Sequence, residues 1–277
     1  MRVNLPNLGP RDALESRVRE ALSPIKHKIV VMSGKGGVGK SLVSSYTAVA
    51  LARRGFGVGL LDVDFHGPSS HIFLGLKGRK PTVTISGIEP IEGPLGLKVM
   101  SIAFLLQDDE TPVIWRGPLK TSAMIQLLTE VNWGQLDFLV VDMPPGTGDE
   151  AITLAHLVKD IDGALVVTTP SDVVKYVVSR ALGFARQVGI RVLGLVENMS
   201  YFYCPTSGTT YRLFGRSTAE ELSERFGIPI LAKIPIDPEL PSYLEKGKVL
   251  IVDNPESHLS RIFEELASRL VEALSRR

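Results

Sequence analysis

The 277-residue sequence has a single cysteine, Cys204, so it can close no internal disulfide and cannot alone furnish a closed metal site. It has no surplus of either charge: 31 Lys and Arg stand against 30 Asp and Glu, for a net charge of +1. That balance leaves no whole-molecule electrostatic footprint for nucleic acid or an acidic membrane, and neither partner is expected. No run approaches the roughly 18 consecutive apolar residues that cross a bilayer, which excludes an ordinary transmembrane helix. The opening residues lack an apolar stretch followed by a small-residue cleavage site. A cytoplasmic location is the resulting expectation.

What the chain does contain is ordinary for a globular protein, with 44% hydrophobic and 22% charged residues. Short runs rich in Val, Ile and Leu recur at 29–32, 58–61, 99–102, 138–141, 164–167, 192–196 and 229–232. Uninterrupted apolar runs of this length mark strands buried on both faces. Helical patterns lie between several of them, at 41–54, 120–131, 149–158, 172–187 and 218–226. The alternation predicts an α/β fold, a mostly parallel sheet flanked by helices on both faces. A leading helix is expected over 11–22, with Pro24 as its stop, and a closing helix over 258–276, whose apolar stripe at a 3.6-residue period would pack on the sheet. The Gly- and Pro-rich segment 75–96 reads as a loop or hairpin insert. Roughly 150 residues per domain would allow two domains, but open α/β sheets run to about 250 as one. The expectation is a helical extension over 1–27 and one P-loop domain over 28–277.

Gly34-Lys35-Gly36-Gly37-Val38-Gly39-Lys40-Ser41 matches G-x-x-x-x-G-K-[ST] directly after the first strand and before a helix. Its glycines let backbone N–H groups converge on phosphate oxygens, and the helix N-terminus adds a favourable dipole. In such a loop Lys40 pairs with the β and γ phosphates and Ser41 holds Mg²⁺ through its hydroxyl. A second metal-orienting carboxylate belongs at the end of a neighbouring strand, where Asp142 stands, acting through water. The following segment, Met143 to Asp149, suits a loop that senses the γ-phosphate. Asp62 and Asp64 end the second strand, and one of them could orient or deprotonate the attacking water; the weaker alternative for each, weakest for Asp64, is a turn or helix-capping aspartate.

Six segments carry a wider likeness: 35–41, 64–69, 114–118, 142–149, 168–170 and 196–201. Together they resemble the deviant Walker A class of P-loop ATPases (SIMIBI-like), and within it the Mrp/ApbC-type iron-sulfur cluster carrier proteins. The resemblance implies a homodimer sandwiching two ATP molecules, in which Lys35 reaches the partner's nucleotide. It implies Asp64 as the water-orienting carboxylate, and Asn198, Pro235 and Asp237 as contacts to adenine. It also implies iron-sulfur client or scaffold proteins as partners.

One departure stands out. The family pattern has C-P-x-C after the N-M-S-Y stretch, so that two subunits together offer four thiolates to one bridging cluster; here Ser207 replaces the second cysteine. Two thiolates remain per dimer, and a serine hydroxyl is a poor iron ligand because it stays protonated. Cys204 could hold a transferable cluster with outside ligands, bind another metal incompletely, or be a small interface residue. The leading expectation is an ATP-hydrolysing cluster carrier. A positioning or partition ATPase, switching on membrane, DNA or a protein, and an iron-free regulator are the alternatives. No Arg-rich lid points to a metabolic kinase.

Overall fold

The computed structural model describes residues 10–106, 116–204 and 206–275. Ile114 and Trp115 of the third motif segment, Pro205 beside the cysteine, and Arg276 at the end of the expected closing helix lie outside them.

In chain order, the first half comprises α1 (Pro10–Leu22), β1 (Ile25–Ser33), α2 (Lys40–Arg53), β2 (Val58–Asp62), α3 (Ser70–Phe73), β3 (Thr82–Thr84), β4 (Gly87–Glu89), β5 (Ile91–Glu92), β6 (Lys98–Ser101) and α4 (Gly117–Thr129). The second half comprises β7 (Leu136–Asp142), α5 (Asp149–Leu157), β8 (Gly163–Thr168), α6 (Asp172–Gln187), β9 (Val192–Glu197), β10 (Phe202–Tyr203) and β11 (Thr210–Tyr211). It continues with α7 (Thr218–Phe226), β12 (Ile230–Lys233), α8 (Leu240–Glu245), α9 (Leu250–Asp253) and α10 (His258–Ser275).

Eight strands form the main sheet in the order β12-β9-β8-β1-β7-β2-β6-β5, every neighbouring pair parallel except the short antiparallel β5 at one edge. The central strands are buried along their whole length, as β2 and β8 show, so the predicted apolar runs sit where both sheet faces are covered. β1 starts at Ile25, ahead of the expected boundary at residue 28. The 75–96 insert resolves into the β3–β4 hairpin followed by β5, which carries the chain back onto the sheet.

Helix α2 is buried over nearly every residue and packs against β1, β2 and β7. α10 lies along it, with Phe263 meeting Tyr46 edge to face at 5.3 Å and Leu259, Leu266 and Leu270 fully buried. Its apolar stripe therefore faces protein, as the spacing predicted. α1 packs across α4 and α5. The register sets Asp62 of β2 beside Asp142 of β7, and Asp142 beside Val31 of β1, so the carboxylates emerge together where the phosphate loop begins.

Candidate active site

The loop Gly34–Gly39 connects β1 to α2, and two of its glycines are needed for distinct reasons. Gly39, which caps α2, has φ +80°, and a Cβ on it would fall 2.1 Å from the Asn198 amide nitrogen. A Cβ on Gly34 would fall 2.6 Å from the backbone of Val177 in α6. The cradle is thus pressed between α6 and Asn198, leaving its N–H side for an anion. Gly36 and Gly37 are exposed and Val38 is buried. Lys35 is exposed and forms no ion pair with the described residues.

Lys40 is only 6% exposed. Its Nζ lies 2.6 Å from Oδ1 of Asp142 and 3.5 Å from Oδ2 of Asp64. Burial works to lower the lysine pKa, but Asp142, Asp64 and Asp62 outweigh it and hold the ammonium above its ordinary value. Asp142 also accepts hydrogen bonds from the hydroxyls of Ser44, at 2.7 Å, and Ser70, at 3.3 Å. The Ser41 hydroxyl, at the same turn of α2, bonds none of the described residues. A free hydroxyl in the first turn of α2, with Asp142 at the end of the strand β7 that α2 packs against, is a hard-oxygen set of the kind that Mg²⁺ takes, and it fits.

The two candidate aspartates separate by environment. Asp62 is fully buried; it accepts N–H bonds from Asp64 and Ser70 and a hydroxyl bond from Ser101. Burial, followed by the neighbouring Asp142, pushes its pKa up to about 7. Asp64 turns one oxygen to the N–H groups of His66 and Gly67 and the other toward Lys40. Asp62 thus braces the loop after β2, while Asp64 lies closer to the phosphate side.

Asn198 follows β9, is 2% exposed, and donates from its amide to the Val38 carbonyl at 2.9 Å. Met199, directly after it, takes φ 54°, an uncommon conformation for a non-glycine residue. Pro235 is buried and Asp237 half-buried after β12; Asp237 accepts the Glu239 N–H, and its charge adds to the burial that raises the Tyr46 phenol pKa. Cys204 stands apart from this group, at the turn of the β10–β11 hairpin. Its N–H donates to the Thr209 carbonyl, and the Ser207 hydroxyl bonds its sulfur, which lowers the thiol pKa together with the backbone of Ser207 and Thr206. Among the described residues no group of three or more His, Cys, Asp or Glu could hold a metal ion.

Sequence reasoning passed over several contributors. Ser44 lies one helical turn beyond Lys40, an i+4 spacing that places both on one face, so the signal was there. A cluster of His66, Lys120 and Glu150 left no such trace. Lys120 Nζ lies 2.6 Å from Glu150 Oε1 and 2.9 Å from His66 Nε2, tying the loop after Asp64 to the first turn of α5, just beyond the Met143–Asp149 loop. The Lys120 ammonium holds the Glu150 carboxyl below its ordinary pKa. Gly146 in turn donates to the Ser33 carbonyl, anchoring that loop beside the cradle.

A parallel α/β sheet whose first strand feeds a glycine cradle and a lysine held between strand-end carboxylates defines a P-loop nucleotide-binding protein. The comparisons agree and go further. A family model described as NUBPL iron-transfer P-loop NTPase matches residues 24–271, and the chain belongs to that family. It is 45% identical over 275 residues to an iron-sulfur cluster carrier protein of Saccharolobus solfataricus, covering 96% of this chain and 93% of that one. It is 43% identical over 254 residues to the cytosolic Fe-S cluster assembly factor NUBP2 of Bos taurus, covering 90% and 94%. Among solved structures, a nucleotide-binding protein of Archaeoglobus fulgidus in complex with ADP superposes with a TM-score of 0.78 at 40% identity, over 90% of this chain and 96% of that one. The likeness to iron-sulfur cluster carriers read from six short segments therefore extends over nearly the whole chain.

Proposed function

We propose that this protein is an ATP-hydrolysing, homodimeric iron-sulfur cluster carrier, with residues 28–277 as its nucleotide-binding domain and the segment before them as a helical extension. The observation that carries the reading is the buried Lys40–Asp142–Asp64 cluster at the mouth of the glycine cradle, in a chain whose relatives are named as cluster carriers.

Loop N–H groups from Gly34 to Ser41 bind the phosphates, and Lys40, kept protonated by its carboxylate neighbours, stabilises charge on the transferring group. Asp64 orients the attacking water with the oxygen not taken by His66 and Gly67. Ser41, and Asp142 through water, would hold Mg²⁺, which would supply neutralisation of phosphate charge when bound. Lys35, exposed and without an ion-pair partner among the described residues, serves the nucleotide of a second copy. Asn198, Pro235 and Asp237 receive adenine. Lys35→Ala is expected to keep nucleotide affinity within a few-fold and to lose most turnover in a phosphate-release assay. Unchanged turnover contradicts a lysine acting across the dimer.

The cluster is cargo, and Cys204 is its anchor. Ser207 acts as a hydrogen-bond donor that favours the thiolate, not as a ligand. With two thiolates per dimer, the remaining ligands come from a small thiol or from the client or scaffold protein, which makes release easy. Anaerobic reconstitution tests this: the wild type should gain visible cluster absorbance in the presence of an added thiol, and Cys204→Ala should not. Equal absorbance in both removes Cys204 from the role while leaving the ATPase reading intact.

A further inference from the structure

The largely apolar cavity beneath the β10–β11 hairpin, about 540 Å³ in volume, uses none of the nucleotide-site residues described above. That volume lies within the range that holds a small organic ligand, roughly 300–1,000 Å³. Tyr201, Tyr203 and His258 supply aromatic walls, with the Tyr201 hydroxyl 2.9 Å from His258 Nε2. Arg212 and Lys233 bring positive charge. Two helices also begin at the wall: Ser217 is the N-cap of α7, and His258 is the first residue of α10. Helix starts favour negative charge.

The opposing charges can be placed. Lys233 is ion-paired with Glu220, and Glu265 on α10 is 3.6 Å from Arg269. Glu197, behind the floor, accepts the hydroxyls of Ser200 and Ser217 and the N–H of Ala219. The Arg212 guanidinium forms no hydrogen bond or ion pair with the described residues, although its field reaches Glu220. It is the cation left over. At the floor, Ser200 donates its proton to Glu197 and so keeps only lone pairs for a ligand.

We propose that this cavity binds a planar organic anion carrying an N–H donor, its anionic group at Arg212 and its N–H at Ser200, separately from the phosphate cradle. The ring body would lie between the aromatic walls. The cavity and the cradle are close neighbours in sequence: Asn198 reaches the P-loop, the left-handed turn at Met199 redirects the chain, and Ser200 and Tyr201 enter the cavity.

The test uses 8-anilinonaphthalene-1-sulfonate, which has both groups, and N-phenyl-1-naphthylamine, which lacks the sulfonate, titrated by fluorescence into the full chain. The sulfonate should bind at one per chain and about tenfold more tightly than the neutral probe, a preference that Arg212→Glu removes. Thr210→Trp, which fills the cavity from an exposed strand position, should abolish binding of both. Saturating Mg-ATP should leave the affinity within about threefold, on the order of half a decade. Equal affinity for the two probes, indifference to either substitution, or loss of binding with Mg-ATP overturns the proposal. None of these outcomes bears on whether the protein hydrolyses ATP.

Discussion

The cradle and the cysteine hairpin are built on opposite plans. At the cradle, Lys40 is buried and answered by carboxylates at 2.6 and 3.5 Å, and Asp142 accepts from three side chains. At the hairpin, two strands of two residues each carry the chain out and back, and Tyr203, Tyr211, Leu213 and Phe214 are each about half exposed. On the proposed function, an exposed apolar group of this kind next to a thiol of lowered pKa is a surface for partners. Under that reading, the contrast teaches that the nucleotide chemistry is assembled within the scaffold, whereas the cysteine end is left for other molecules to complete.

The sharpest way to break that contrast is Lys40→Ala. It should lower turnover on the order of 10²–10³-fold and also weaken the fold, since Asp142 is left as an uncompensated buried charge costing about 3–5 kcal/mol. Urea unfolding without nucleotide measures the second effect. A variant as stable as the wild type would mean the cluster is not integral to the scaffold.

A smaller effect is expected at the seam between the loop after Asp64 and the Met143–Asp149 loop. Lys120→Met should reduce kcat several-fold with KM for ATP little changed, and Lys120→Arg should restore part of it, since the link is an ion pair to Glu150. The pH dependence follows from the lowered Glu150 pKa. The pair contributes fully above the unfolded value near 4.5 and fades as pH falls through the lower folded value. The stability gap between wild type and Glu150→Gln should therefore be present at neutral pH and close in acid. A constant gap would show that Lys120 does not act through this carboxylate.

Smallest of all is Cys204→Ser, which should shift unfolding free energy by no more than about 0.5 kcal/mol, because the thiol is only half-buried and the turn residues 206–209 beyond it are exposed. A larger loss would place the hairpin within the cooperative core and erase the distinction.

Legibility in the sequence followed the range of the interactions. The strands of the parallel sheet were visible because burial on both faces writes an uninterrupted apolar run, and the cradle was visible because its eight residues are contiguous. Asp142 and Asp62 were found as strand-end carboxylates, but only the register between β2 and β7 sets them side by side and makes Asp62 the braced, protonation-prone member. β10 and β11 are too short to show a period. The His66–Lys120–Glu150 contact joins residues from three separate segments, so no local pattern could reveal it. Of the 114–118 segment, the structure shows Arg116 leading into α4.

The Asp142 carboxylate against Lys40 has a consequence for ligand exchange. A phosphate reaching that ammonium meets a resident counter-ion, so arrival is a substitution between anions and not the filling of a bare positive hole. Short polyphosphates that touch only this lysine should compete poorly with the carboxylate, while a full nucleotide has many other contacts with which to displace it. In the proposed hydrolytic cycle the same carboxylate reclaims the lysine as phosphate departs, which favours release and a cycle that resets.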